Sequence, residues 1–141
     1  MSAGAQIETG RTGRIVYARV RPNEDLVLAV EKICLREGLR NAFLRGSLGS
    51  LTDACLVLPD GSTTLLKGPA IEVVSMSGEV RADASGSPEA ELRGMVCTPE
   101  GKMTGGRFLR GQNPVCVTFE IALEEWVPDD AGQDAPSPEG A

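Results

Sequence analysis

The stretch VCVTFEIAL, residues 115–123, has the clearest periodic pattern in the chain. Val115, Val117, Phe119, Ile121 and Leu123 alternate there with Cys, Thr, Glu and Ala. Side chains two residues apart lie on the same face of a β-strand, so the pattern predicts a strand that turns these apolar residues toward a core. A β-sheet is therefore expected at the centre of the fold.

Upstream of this strand, further segments rich in aliphatic residues read as strands, at residues 14–20, 42–48, 54–58, 63–66, 71–80, 90–97 and 102–109. PDGS at 59–62 and TPEG at 98–101 are typical hairpin turns. One helix is predicted, capped by Asn23 and stopped by Gly38, with one apolar face for the sheet. We therefore predict an α+β domain with a largely antiparallel sheet of seven or eight strands and one main helix.

The two ends of the chain differ from this body in composition. Residues 1–13 are small and polar, and residues 127–141 are acidic and rich in Pro, Gly, Asp and Ala. Neither segment contains enough apolar residues to stabilise an ordered structure. The prediction is one domain over residues 14–126 between a disordered N-terminus and a disordered acidic tail.

The charge of the chain bears on its partners and its location. The net charge is −6, and four of the 20 acidic residues lie after Trp126, where there is no Lys or Arg. The rest of the chain is thus close to neutral, which does not favour nucleic acid, since binding to phosphate backbones needs a basic face. No segment is typical of a signal peptide or approaches the roughly 20 apolar residues of a membrane span. We expect a cytoplasmic protein that does not bind membranes.

Several kinds of chemistry are excluded by composition. There is no histidine, so neither a Ser-His-Asp nor a Cys-His arrangement can form. Cys34, Cys55, Cys97 and Cys116 form no C-x-x-C pair and read as buried free thiols rather than zinc ligands. The glycine-rich segment 104–111 lacks the ending of a phosphate-binding loop. Carboxylate, lysine and arginine chemistry remains.

Six short motifs follow one another in a recognisable order: DL at 25–26, GSLG at 46–49, GP at 68–69, IEVVSMSG at 71–78, GKMTGG at 101–106 and VTFEI at 117–121. Together they resemble the plants-and-prokaryotes conserved (PPC) domain, which plant AT-hook nuclear proteins carry beside their DNA-binding hook. The chain lacks the Arg-Gly-Arg-Pro core of such a hook. The resemblance, over residues 14–125, implies a small α+β domain that assembles as a homotrimer.

One feature of the predicted helix agrees with assembly into a homotrimer. Leu28 and Leu35 are expected on the back of the predicted helix, away from its sheet-facing side. One interpretation is that another subunit or a loop covers them. The other is that they are ordinary exposed leucines, which need no explanation.

The resemblance also implies a metal site in many prokaryotic members, with a His-x-His on one strand and a third histidine after the Gly-Gly pair of the next. In this chain those positions hold Glu91, Arg93 and Arg107. Arginine stays protonated and cannot ligate a cation. We therefore expect no metal and no other cofactor.

Two interpretations of this trio are open. In the first, the site has lost its function and Arg107 pairs with Glu91 on the surface. In the second, Arg93 and Arg107 bind a carboxylate or a phosphate, with Arg45 as a third cationic member. Glu120 is then a structural carboxylate that pairs with one of these arginines, or a general base.

The favoured function is a stand-alone prokaryotic PPC-type trimeric module that binds a small anion or a protein partner, and we assign no catalytic residue. A DNA-binding, transcription-related protein is the first alternative. The second is a non-zinc enzyme that uses Glu91 or Glu120 with arginines as electrophiles.

Overall fold

The computed structural model describes residues 4–129 and contains one sheet and one helix. The elements are β1 (Gly10–Val20), α1 (Leu26–Glu37), β2 (Asn41–Val57), β3 (Thr63–Ala82), β4 (Pro88–Cys97), β5 (Met103–Phe108) and β6 (Val115–Pro128). All strand pairs are antiparallel, and the six strands are ordered β1-β6-β2-β3-β4-β5. The predicted α+β architecture with one helix is confirmed.

Residues 4–129 form six strands rather than the predicted seven or eight. Segments 42–48 and 54–58 belong to β2, and segments 63–66 and 71–80 belong to β3. The two long strands stay paired through a shift of register between Leu51 and Asp53. The Asp53 carboxylate accepts a hydrogen bond of 3.1 Å from the Gly68 amide there, so the chain bends without leaving the sheet.

Four of the strands close into a ring. β2 pairs with β3, β3 with β4 and β4 with β5. The ring is completed at the end of β2, where Leu56 lies opposite Phe108 and Val57 lies opposite Arg107. Leu56 and Phe108 are buried. Helix α1 lies against β4 and β1 and covers the core with its apolar face.

The N-cap of the helix lies two residues later than predicted. Asp25, not Asn23, is the N-cap, and its carboxylate accepts a hydrogen bond of 2.9 Å from the Leu28 amide. Asn23 has a φ of 72° and lies in the preceding turn, where its amide donates to the Val115 carbonyl. Gly38 ends the helix in a left-handed conformation, as predicted.

β6 keeps the predicted alternation at four positions, which are buried: Val115, Phe119, Ile121 and Leu123. The prediction is wrong for Val117, whose exposure is 69%. Phe119 lies opposite Gly49 and Val115 lies opposite Leu51, so three residues of β6 face one residue of β2. This bulge rotates Val117 away from the core.

The sheet extends beyond both predicted boundaries of the domain, residues 14 and 126. Gly10 pairs with Pro128, so β1 starts earlier and β6 ends later than expected. The predicted disorder of residues 1–3 and 130–141 lies outside the described residues. Within residues 4–129, no helix is both long enough and apolar enough to cross a bilayer.

Both predicted hairpin turns are confirmed. The Leu58 amide donates to the Ser62 carbonyl at 2.7 Å, and the Thr98 amide donates to the Lys102 carbonyl at 2.8 Å. The second turn sets the register of β4 and β5. It thereby places Arg93 directly opposite Arg107.

Candidate functional site

The structure brings three of the predicted site residues together on β4 and β5. Glu91 and Arg93 are two positions apart on β4, so their side chains lie on the same face. Arg107 faces Arg93 across the strand pair. The same rung continues to Ser77 on β3 and to Val57 at the end of β2.

Glu91 pairs with Arg93 rather than with Arg107. The Arg93 guanidinium donates to Glu91 Oε2 through Nη2 and, at 3.1 Å, through Nε. Both side chains are more than half exposed, so this ion pair contributes little to stability. The side chain of Arg107 makes no ion pair or hydrogen bond with any other residue in 4–129. It is the cation of the trio that is available for a ligand.

Arg107 and Arg93 line a groove with a volume of about 760 Å³. Its walls are largely apolar and come from the end of β2, the turn that follows it, and the middle of β3 and β4: Val57, Leu58, Pro59, Met76 and Met95. Ser75 and Ser77 add two hydroxyl groups on β3. Such a combination of apolar walls with a few polar groups is typical of small-molecule sites.

Glycines form the floor of this groove because the strands approach each other closely. A Cβ atom on Gly94 would lie 2.3 Å from the Ser75 carbonyl oxygen, and one on Gly106 would lie 2.7 Å from the Val57 carbonyl oxygen. A side chain at either position would force neighbouring backbone apart. Gly106 therefore has a structural reason, and the Met95 sulfur lies over its neighbour Gly105, 2.4 Å from where a Cβ atom would be.

A second, smaller depression of about 340 Å³ lies on the other side of Arg107. It contains three carboxylates, of Glu79, Glu89 and Glu91, together with Arg81 and Arg110. Its other cations have acidic partners: Arg81 lies 3.3 Å from Glu79, and Arg110 donates to Glu31. The hydrogen bond to Glu31 raises the pKa of Arg110 above its usual value. Three carboxylates thus balance three guanidiniums in this depression, whereas the groove is lined by Arg93 and Arg107 without a carboxylate, so the groove suits an anion better.

Arg45 and Glu120 lie outside this groove, which corrects the prediction of a single cluster. Arg45 occupies a bulge of β2, donates to Glu124 at 2.8 Å and stacks on the Phe43 ring. Glu120 accepts a hydrogen bond from the Tyr17 hydroxyl and lies 3.8 Å from Arg19. The shift of register in β2 points Arg45 toward β6, so it does not join Arg93 and Arg107.

The residues of the trio do not fit a metal ion. Glu91 is its one member with ligand oxygens, and that carboxylate already pairs with a guanidinium beside it. Within the part of the chain that the structure describes, no group of three or more His, Cys, Asp or Glu side chains could share a metal ion. Two fixed positive charges at this position repel a cation and attract an anion.

The cysteines add no reactive group to the site. Cys34 and Cys55 are buried as expected, Cys97 and Cys116 are half-buried, and all four thiols are free. Burial raises the pKa of the Cys34 thiol to about 11, and the nearby Glu31 adds to this shift. A thiol of that pKa is almost entirely protonated at neutral pH, so Cys34 is a small apolar residue of the core.

Sequence reasoning missed Asn113 and the apolar walls of the groove. Asn113 is fully buried, and its side chain bonds the backbone of Cys55 and Leu109, which fixes the end of β5 against β2. A lone Asn before a proline reads as a turn residue, so no signal marked it. Met76 belongs to β3, whose pairing with β4 the sequence did not reveal.

Comparison with known proteins agrees with this architecture. The sequence profile of the Plants and Prokaryotes Conserved (PCC) domain matches residues 7–127. Among curated proteins, the bifunctional protein GlmU of Synechococcus sp. (strain JA-3-3Ab) is 28% identical over 112 residues. The alignment covers 79% of this chain and 17% of GlmU, so the chain spans about a sixth of that protein's length.

Three solved structures share the fold. A PPC protein of Pyrococcus horikoshii is 22% identical with a TM-score of 0.75, over 96% of this chain and 94% of that chain. A metal-containing protein of Archaeoglobus fulgidus is 18% identical with a TM-score of 0.76, over 88% and 87%. A protein of Ralstonia eutropha JMP134, described as a candidate DNA-binding protein, is 17% identical with a TM-score of 0.63, over 87% and 84%.

Proposed function

Because the chain belongs to the Plants and Prokaryotes Conserved domain family, we propose that it is a module of this family that binds a small anion where other members hold a metal. The observation that carries this proposal is Arg107, whose guanidinium has no partner among residues 4–129 and lies in an open groove opposite Arg93. A guanidinium binds a carboxylate or phosphate through two parallel hydrogen bonds. The module acts by binding, without catalysis.

Energetics set the strength of this binding. A hydrogen bond to a charged group contributes about 1.5–3 kcal/mol, whereas association costs about 4–15 kcal/mol. Arg93 contributes less than Arg107 because Glu91 already neutralises it. Inorganic anions are therefore expected to bind weakly, and tight binding requires further contacts with the walls of the groove.

We predict that sulfate or phosphate raises the melting temperature of the protein. A ligand at ten times its dissociation constant stabilises the folded state by about 1.4 kcal/mol, which corresponds to a few degrees for a domain of this size. The Arg107→Ala variant should lose this response and keep its fold. Differential scanning fluorimetry against sodium chloride at matched ionic strength measures the effect, because chloride controls for screening of surface charges.

Arg40→Ala is the matched control variant, since Arg40 is an exposed arginine outside the groove. It should respond to sulfate like the wild type. Equal responses of the wild type and Arg107→Ala would contradict the anion site and leave only a surface ion pair between Glu91 and Arg93.

We further propose that the module assembles as a homotrimer. In the single chain Leu28 is 40% exposed and Leu35 is 67% exposed, on the side of α1 that faces away from the sheet. The outer face of β1 adds Ile15 and Tyr17, with exposures of 64% and 62%. Burial of such side chains between subunits is the main source of free energy for association.

Light scattering at micromolar concentration should therefore give three times the chain mass of 14.8 kDa. Leu35→Glu should shift the mass toward the monomer if the back of α1 lies in the interface, because a carboxylate there would be buried without a partner. Lys102→Glu, an exposed charge reversal in the hairpin turn between β4 and β5, serves as the control. A monomer mass for the wild type would refute the trimer.

DNA binding is the second candidate, favoured by the description of the R. eutropha structure. The net charge of −6 opposes it, as do the acidic partners of most arginines described above. A gel shift with duplex DNA at two salt concentrations separates the candidates. A strong shift that weakens with salt would favour DNA over a small anion.

The enzymatic alternative has less support. Glu91 is held by Arg93, and Glu120 is held by Tyr17 and lies near Arg19. Neither carboxylate lines the groove beside Arg107. A general base must be within hydrogen-bond reach of its substrate, and neither residue meets this condition for a ligand on Arg107.

A further inference from the structure

The groove beside Arg107 has a polar end and an apolar end, and strand register defines both. Ser77, Arg93 and Arg107 are neighbours on one rung across β3, β4 and β5. On the next rung, Met95 lies opposite Gly105, with Ser75 on β3 beside it. The guanidiniums therefore stand at one end, and the surface becomes apolar along the strands.

The distance between these rungs sets the length of a ligand. Two residues along a strand span about 7 Å. A carboxylate on the Arg107 rung would thus direct its next five or so carbon atoms along the strands onto the Met95 side chain, which lies over Gly105: a Cβ atom on Gly105 would be 2.4 Å from Met95 Sδ. Met95 on one side and Leu58 and Pro59 on the other would contact this apolar part.

The charges near the groove limit the ligand to one negative group. Among the described residues Arg107 has no acidic partner, whereas Arg93 is held by Glu91. Glu91 lies beside Arg93 and would repel a second negative charge placed there. Dicarboxylates and nucleotides are therefore disfavoured relative to a monoanion.

We propose that the groove binds a medium-chain monocarboxylate of about six to eight carbon atoms, with its carboxylate on Arg107 and its chain packed against Met95 and Leu58. The inference rests on the proposed anion site and adds the chemical class of its ligand. The groove volume of about 760 Å³ is ample for such a molecule. Flexible methionines such as Met76 and Met95 adapt to chains of slightly different shape.

The test is a titration of the full chain with butyrate, hexanoate, octanoate and the neutral analogue hexanamide, followed by amide chemical shifts in NMR spectra. A fully buried methylene contributes about a fourfold gain in affinity, so the four added in octanoate should give at least tenfold over butyrate even when about half buried. Hexanoate should bind at least tenfold more tightly than hexanamide. The largest shifts should fall on Gly94, Gly105 and Gly106.

Two variants separate the two parts of the site. Arg107→Gln should weaken all three carboxylates about ten- to a hundredfold, whereas Arg40→Gln should leave them unchanged. Ser75→Phe should fill the apolar end from an exposed strand position and reduce the advantage of octanoate over butyrate to less than threefold.

The outcomes distinguish this inference from the function on which it rests. Equal affinities for butyrate and octanoate, both lost in Arg107→Gln, would overturn the medium-chain ligand and retain the anion site. Equal affinities for hexanoate and hexanamide, with no effect of Arg107→Gln, would overturn both. No binding of any compound at about 50 mM, or octanoate shifts spread over the whole surface, would also overturn both.

Discussion

Replacing Asn113 by alanine is expected to lower the free energy of unfolding by about 2–5 kcal/mol, a large share of the 5–15 kcal/mol that is typical of a domain. The side chain is fully buried and accepts a hydrogen bond of 2.9 Å from the Cys55 amide. It also donates to the carbonyls of Cys55 and Leu109, at 3.0 and 2.9 Å. The two carbonyls keep other partners, but the Cys55 amide would be left buried without one. Urea denaturation measures the change.

Gln112→Ala is the matched control, because Gln112 is an exposed neighbour whose backbone makes the loop contact. It should change stability by less than about 0.5 kcal/mol. If Asn113→Ala is equally mild, water replaces the amide and the loop after β5 does not depend on this residue. If it is severe, the loss of the Leu109 contact should also weaken anion binding at Arg107, since Leu109 follows β5 directly.

Phe108→Ala is the second large effect, with an expected loss of about 3–5 kcal/mol. Phe108 is 2% exposed and lies opposite Leu56, where β5 closes the ring of strands. Truncation leaves a cavity in a core that contains few aromatic rings to fill it, since Phe, Trp and Tyr make up 4% of the chain. Thermal or urea unfolding of the purified variant measures the loss.

Arg107→Ala provides the internal comparison, one residue earlier on the same strand. Its side chain lies on the other face of β5 and makes no hydrogen bond or ion pair with the other described residues. We expect a change within about 0.5 kcal/mol. If Arg107→Ala is as destabilising as Phe108→Ala, the arginine is a structural residue and the proposed anion site must be abandoned.

Patterns that depend on neighbouring residues predicted much of the fold. Alternation in β6, the two hairpin turns and the Gly38 stop of α1 were all readable, because each depends on local backbone preference or on one buried face. The errors concern tertiary structure. Val117 is exposed because β6 bulges against β2, and Asp25 rather than Asn23 caps the helix because Asn23 is held in a turn by Val115.

The site was predicted only where it depends on local sequence. The pairing of β4 with β5 follows from one short turn, so Glu91, Arg93 and Arg107 could be placed together. The choice of Arg93 over Arg107 as partner of Glu91 depends on side-chain geometry that spacing does not specify. Arg45 was misplaced because a bulge of β2 reverses the side on which its side chain emerges.

The position of β6 between β1 and β2 has a consequence for how the protein is made. β6 is the last strand of the described chain, yet it pairs with the first strand. Gly10 therefore pairs only after Pro128 has been synthesised. A nascent chain that has left the ribosome as far as β5 can close its ring but exposes the unpaired edge of β2. Such an edge is a template for aggregation, and non-local pairing forms slowly. Chaperones that shield exposed strands therefore have a defined interval in which to act on this chain.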